Sequence, residues 1–116
     1  MVITMKIDIA SDFSLKPFGR DENDGKFSGK RFRDEKLIPA FRDSQESIDV
    51  FLDNVKRGYG SSFLEEAFAG LLRNEITYLE VKNRLNIVTT NEGYMEEIWE
   101  YIEEQKERNE HNCESA

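Results

Sequence analysis

The chain has 116 residues, 38% of them hydrophobic and 34% charged, which bounds it to a single domain with a real core. No apolar run approaches the roughly 20 residues that cross a bilayer. The net charge of −8 is lopsided: residues 1–60 hold 11 basic and 11 acidic side chains, residues 61–116 hold 5 and 13, so the second half is a poor surface for nucleic acid, whose phosphates need lysine and arginine.

In chain order, MVITMKIDIA alternates Ile3, Met5, Ile7 and Ile9 with polar residues, a period of two that predicts a strand with one buried face. It has no basic start or cleavage site, so it does not read as a signal peptide. SDFSLKPFGRDENDGKFSGKRFR, residues 11–33, is rich in Gly, Ser, Asp and Asn and predicts a long loop or loose hairpin. DEKLIPAFRD predicts a short helix that Pro39 ends or kinks. SIDVFLDN sets Ile48, Val50 and Leu52 on one face and Phe51 on the other, as a central strand covered on both sides would.

GYGSSFLEEAFAGLLRN, Gly58 to Asn74, predicts a turn followed by a buried helix. Phe63, Leu64, Ala67, Phe68, Leu71 and Leu72 form its core stripe. Ser62 and Glu65 have capping-box spacing, which makes Ser62 the expected N-cap and leaves Ser61 spare. Ala69 and Gly70 are small enough to admit another backbone. TYLEVKNRL starts with a second box, Thr77 with Glu80, and NIVTT predicts a brief strand before the turn Asn91-Glu92-Gly93. The last helix, YMEEIWEYIEEQKERN, sets Met95, Ile98, Trp99 and Ile102 against glutamates. Periodicity is lost near Asn109, which divides the chain into a domain over 1–108 and a frayed acidic tail over 109–116. Strands alternating with helices imply an α/β fold: a small mixed sheet of about four strands with helices packed on it.

Catalytic chemistry is sparse, and a non-enzymatic protein without metal or cofactor is expected. The single histidine, His111, sits by the single cysteine, Cys113, in the acidic tail. His-x-Cys falls short of the four ligands of a structural zinc site. One cysteine gives no internal disulfide and suits a reducing cytoplasm, the expected location. The segment GKFSGKRFR, Gly25 to Arg33, concentrates Lys26, Lys30, Arg31 and Arg33 among glycines and phenylalanines. Two readings fit it: an anion site, or internal ion pairs with the many glutamates while the rings fill core.

Taken together, FSGKRFRDEKLIPAF, IDVFLDN and GYGSSFLEEAFAGLL resemble the STAS-like domain family of unknown function found in bacteria and their mobile elements, over about Ile3 to Tyr101. The resemblance implies the STAS fold of anti-sigma factor antagonists, a small sheet with helices that serves as a docking module. In those antagonists a strand ends at an Asp and a loop leads to D-S-S-G-L at a helix start, whose first serine a partner kinase phosphorylates. Gly60-Ser61-Ser62-Phe63-Leu64 is similar to that motif, with Gly60 in place of the acid and Phe63 in place of the glycine. The resemblance thus implies a docking site at Tyr59, Gly60, Ser61 and Ser62, a switch at Ser61, and a histidine-kinase-like ATPase as protein partner, with no nucleic acid or membrane bound directly. The alternative is a small acidic phage or mobile-element inhibitor that covers a basic surface of a nucleic-acid-handling protein. The oligomeric state is open.

Overall fold

The computed structural model describes residues 4–115, with side chains over 5–111; Ile3 and the Cys113 side chain lie outside that range. Three strands, β1 (Thr4–Asp8), β2 (Ser47–Phe51) and β3 (Leu85–Val88), form one sheet in the order β1-β2-β3. Both pairings are parallel, with Ile7 beside Val50 and Val50 beside Ile87. The expected mixed sheet of about four strands is therefore a parallel sheet of three. Of residues 11–33, read as a loop or loose hairpin, the first three belong to a helical turn over Ile9–Phe13. Residues 14–28 contribute no strand and are closed by backbone bonds from the Phe18 N–H to Phe27 O and from the Asp24 N–H to Asp21 O, both 2.9 Å.

Helices fill the crossovers, α1 (Gly29–Phe32) and α2 (Ile38–Asp43) in the first and α3 (Ser61–Phe68) and α4 (Tyr78–Arg84) in the second, and α5 (Glu92–Ser115) follows β3. A right-handed crossover from β1 to β2 and another from β2 to β3, in that spatial order, both put their helices on the same side. Burial alternates accordingly. Ile7, Ile48, Val50, Leu85 and Ile87 are buried, while Lys6, Asn86 and Val88 are exposed and Asp49 and Phe51 half-buried. The expectation that β2 is covered on both faces is thus corrected: it is central, but only one of its faces is buried.

Gly29 opens α1 directly against α3, where a β-carbon would lie 2.5 Å from the Phe63 carbonyl oxygen and 3.2 Å from the Ala67 nitrogen. The close backbone approach expected at Ala69 and Gly70 occurs here instead. Ser28 caps α1, accepting from the Arg31 N–H at 3.2 Å, so the latter part of the expected loop is helical. Between α1 and α2 the helix widens by one residue per turn over Arg33–Leu37, and Pro39 then falls in the first turn of α2, where its missing N–H costs nothing. Arg84 at the end of α4 donates to the Glu46 and Phe41 carbonyls at 3.0 and 3.1 Å, and to that of Ser44, closing the exit of α2.

The apolar stripe of α3 is in the core as its spacing predicts: Phe63, Leu64, Ala67 and Phe68 are fully buried, as is Leu71 just beyond. Phe32 lies among them, 6.1 Å from the Phe63 ring and 6.3 Å from that of Phe68. The Thr77–Glu80 capping box forms at the start of α4. Ile98 and Ile102 bury the inner face of α5, and helical backbone continues past Asn109 to Ser115. Asn109 itself donates to the Leu72 carbonyl at 3.2 Å.

Candidate functional site

The C-terminal ends of parallel strands are where loops converge in open α/β sheets. Here Asp53, just past β2, accepts from the Thr89 hydroxyl at 2.7 Å and the Thr90 N–H at 2.9 Å, clipping together the ends of β2 and β3. The Thr89 bond first, and the Thr90 N–H with it, hold the Asp53 carboxyl below the usual range despite some desolvation. Asn54 then takes a left-handed turn (φ 72°), a conformation that asparagine tolerates. The loop passes Lys56 and Arg57 to Gly58 and Tyr59, forming one wall of a crevice of about 550 Å³ closed on the other side by Thr90 and Tyr94.

Tyr59, which the resemblance implied at a docking surface, is a buried anchor. Its hydroxyl donates to the Leu52 carbonyl at 2.6 Å, its N–H to the Tyr94 hydroxyl at 3.2 Å, and its ring meets Phe63 at 5.6 Å. Burial pushes its hydroxyl far above the ordinary tyrosine value. The next residues face solvent. Gly60 is the N-cap of α3, extended at φ −84° and ψ 158°, with open space where a β-carbon would stand.

Ser61 and Ser62 are exposed in the first helical turn. The expected cap at Ser62 is overturned: no side chain caps α3, and Glu65 turns away to arginines. Ser61 faces Tyr101 of α5. Burial, then the neighbouring Glu97 carboxylate that accepts its hydroxyl at 2.7 Å, push Tyr101 up to about 12, with the Ser61 hydroxyl acting in the opposite direction.

The basic segment does not converge on a shared site. Lys30 reaches Glu22 at 3.5 Å, Arg31 pairs with Glu35 at 2.8 Å across one helical turn, and Lys26 lies 5.6 Å from the Phe27 ring centre. Arg33 turns inward, its side chain 6% exposed, to pair with Glu66 and with Asp34 at 3.0 Å. Of the two readings of Gly25–Arg33, internal pairing is the one these contacts match, and the Gly29 N–H is spent on the Gly19 carbonyl at 2.9 Å.

Behind the serines lies a cluster that the sequence did not reveal. Glu65 accepts from Arg20 at 2.7 Å and Arg73 at 2.9 Å, and Glu66 accepts from Arg20 at 3.0 Å as well as from Arg33. Arg73 continues to the buried Gln105 of α5 at 2.8 Å. Arg73 and then Arg20 hold the Glu65 carboxyl down to about 2 against its desolvation. For Glu66 burial is the largest single influence and acts upward, but Arg33 and Arg20 together outweigh it and the carboxyl is lowered. Loop 14–28, α1, α3 and α5 are thus joined through two adjacent glutamates. The one trace in the sequence is an acidic pair that interrupts the apolar stripe of α3; Arg20 and Arg33 lie too far along the chain to be read as its partners.

Among the described residues no helix is long and apolar enough to cross a membrane. Comparison with curated proteins and with solved structures returns no match. A family model, the STAS-like domain of unknown function, matches residues 28–95, from the cap of α1 through β2, α3, α4 and β3 to the first turn of α5. That match covers more than half of the chain and includes the crevice and the serine turn, so the chain belongs to the STAS-like domain family.

Proposed function

We propose that this protein is a non-enzymatic docking module whose partner-facing surface is the turn Gly58–Ser62 with the adjoining crevice, and that modification of Ser61 regulates docking. The observation that carries the reading is the exposure of Ser61 and Ser62 on a rigid mount. Tyr59 and Phe63 on either side are buried, while neither serine caps the helix. A helix start favours negative charge, so a phosphate there is compatible with folding. On a contact surface the same charge opposes docking. By its resemblance to anti-sigma factor antagonists, the partner is a histidine-kinase-like ATPase.

The test is affinity capture from the host with wild-type, Ser61→Ala and Ser61→Asp proteins, read by mass spectrometry. The proposal expects an ATPase of that class with wild type and Ser61→Ala, and its loss with Ser61→Asp. Equal recovery with all three removes the serine from the mechanism.

A second reading has its own observation. Glu96, Glu100, Glu104 and Glu107 are all exposed at spacings of four, four and three along α5, an acidic ridge suited to a basic surface on a nucleic-acid-handling protein. Docking through that ridge should weaken steeply with salt, whereas apolar docking at the turn should not.

A further inference from the structure

Beside the crevice, two loops bring exposed apolar and basic side chains together. The Lys56 N–H donates to the Leu15 carbonyl at 2.6 Å, and the Arg57 guanidinium lies 4.8 Å from the centre of the Phe18 ring. Leu15 and Phe18 are 44% and 48% exposed, two of the four large hydrophobic side chains left exposed among the described residues. Pro17 between them is buried, and the Phe18 N–H is bonded to Phe27, so the patch is held in place rather than loosely hung. Lys16, Lys56 and Arg57 are exposed, and none enters an ion pair among the described residues. Asp53, the carboxylate lining the neighbouring crevice, is already engaged by Thr89 and Thr90.

An aromatic ring under an arginine, an exposed leucine and two flanking lysines are the composition of an interface hot spot for a negatively charged, partly apolar ligand. The remainder of the molecule narrows that ligand further. With −8 overall and the α5 ridge exposed, the molecule as a whole repels a broad acidic surface. Screening confines the attraction to about 8 Å at physiological ionic strength, so only a short segment profits from it. We infer that the Leu15–Phe18 and Lys56–Arg57 patch docks a short acidic segment of a partner protein. An apolar side chain of that segment lies on Leu15 and Phe18, and its carboxylates meet Lys16, Lys56 and Arg57. The inference rests on the docking reading above and extends its surface away from the serines.

The experiment is amide chemical-shift mapping on the full chain, titrated with a synthetic octapeptide of aspartates and glutamates carrying two leucines. Comparison probes are the same peptide with lysines for its acids, an acidic octapeptide without leucine, and a short oligothymidylate. The expected result is saturable shifts at residues 15–18 and 56–58 with the first peptide alone. Phe18→Ser and Arg57→Glu, both surface changes whose spectra report their own folding, should each weaken it by about tenfold or more.

No shifts, shifts along α5, or an equal response to the lysine peptide overturn the inference. Tighter binding of the oligonucleotide at the same residues overturns it in favour of nucleic acid. The two proposals fail separately. A captured partner that is lost with Ser61→Asp but retained by Arg57→Glu sinks the patch alone. Peptide binding here without any partner sensitive to Ser61 sinks the serine alone.

Discussion

The guanidinium of Arg33 lies against Gly70, where a β-carbon would come within 2.5 Å of Nη1 and 3.1 Å of Cδ. Arg33 cannot swing aside, because Nη1 also donates to Glu66, through both its carboxylate and its carbonyl, and Nε to Asp34 at 3.0 Å. Gly70→Ala should therefore destabilise the fold by about 1–3 kcal/mol, the usual cost of overpacking. Glu66→Ala should also destabilise, by about 1–3 kcal/mol, because it leaves the buried guanidinium only Asp34 and the backbone carbonyl at position 66. Urea denaturation measures both; a neutral Gly70→Ala would mean that Arg33 does not occupy this site.

The Glu65 carboxyl sets the acid limb of stability. Its folded value of about 2 lies below the ordinary 4.5, so the folded state binds its proton less tightly than the unfolded chain. The stabilisation is complete above pH 4.5, declines as pH falls through the interval between those values, and is gone below about 2. Glu66, lowered in the same direction, adds to the same limb. Glu65→Gln should lower stability at neutral pH and flatten its loss between pH 5 and 2, as read from melting temperature against pH. An unchanged acid limb would place the Arg20 and Arg73 contacts outside the energetics of folding.

A β-carbon at position 29 brings two opposing effects into play. Alanine is the better helix former by about 1 kcal/mol. Yet the obstacle is the α3 backbone at Phe63 and Ala67, which has no rotamer to change. Gly29→Ala should therefore destabilise by about 1–3 kcal/mol in spite of its propensity. A stabilised Gly29→Ala would show that α1 and α3 are not in contact here.

What the sequence made legible was whatever is written in local period. The α3 stripe and the Thr77–Glu80 box appear where spacing put them, and so does the β1 alternation from Met5 to Ile7, although the strand ends at Asp8 and Ile9 begins a helical turn. What it concealed depends on contacts far apart in the chain. Ser62 with Glu65 has capping-box spacing, but Arg20 and Arg73, 45 and 8 residues from Glu65, outbid the cap for that carboxylate. The sheet was misjudged for a related reason. Phe51 looked like a second buried face, yet the strand order places both crossovers on the other side and leaves it half-buried. Tyr59 entered the docking site only through the resemblance of the motif that follows it, while the Leu52 carbonyl draws it in.

The serines now carry a different expectation from the one their spacing suggested. With Gly60 as N-cap and no side-chain cap bond, Ser62→Ala should change stability by less than about 0.5 kcal/mol, the range of ordinary surface substitutions. The cap itself can be improved. Gly60→Asp fits the open space at that position and should stabilise by a few tenths of a kcal/mol, since aspartate outranks glycine at an N-cap. Ser61→Asp gains from the helix start but meets Glu97 across the Tyr101 hydroxyl, so its net effect on stability should be small. Its effect on docking should not be. Measured side by side, Gly60→Asp puts a negative charge one residue earlier at the same helix start, which makes it the control for charge alone. Loss of partner binding with Ser61→Asp and not with Gly60→Asp assigns the switch to Ser61. Equal loss in both would reduce the effect to general charge repulsion at the turn, and no loss in either would leave both serines as solvent-facing residues of the first turn.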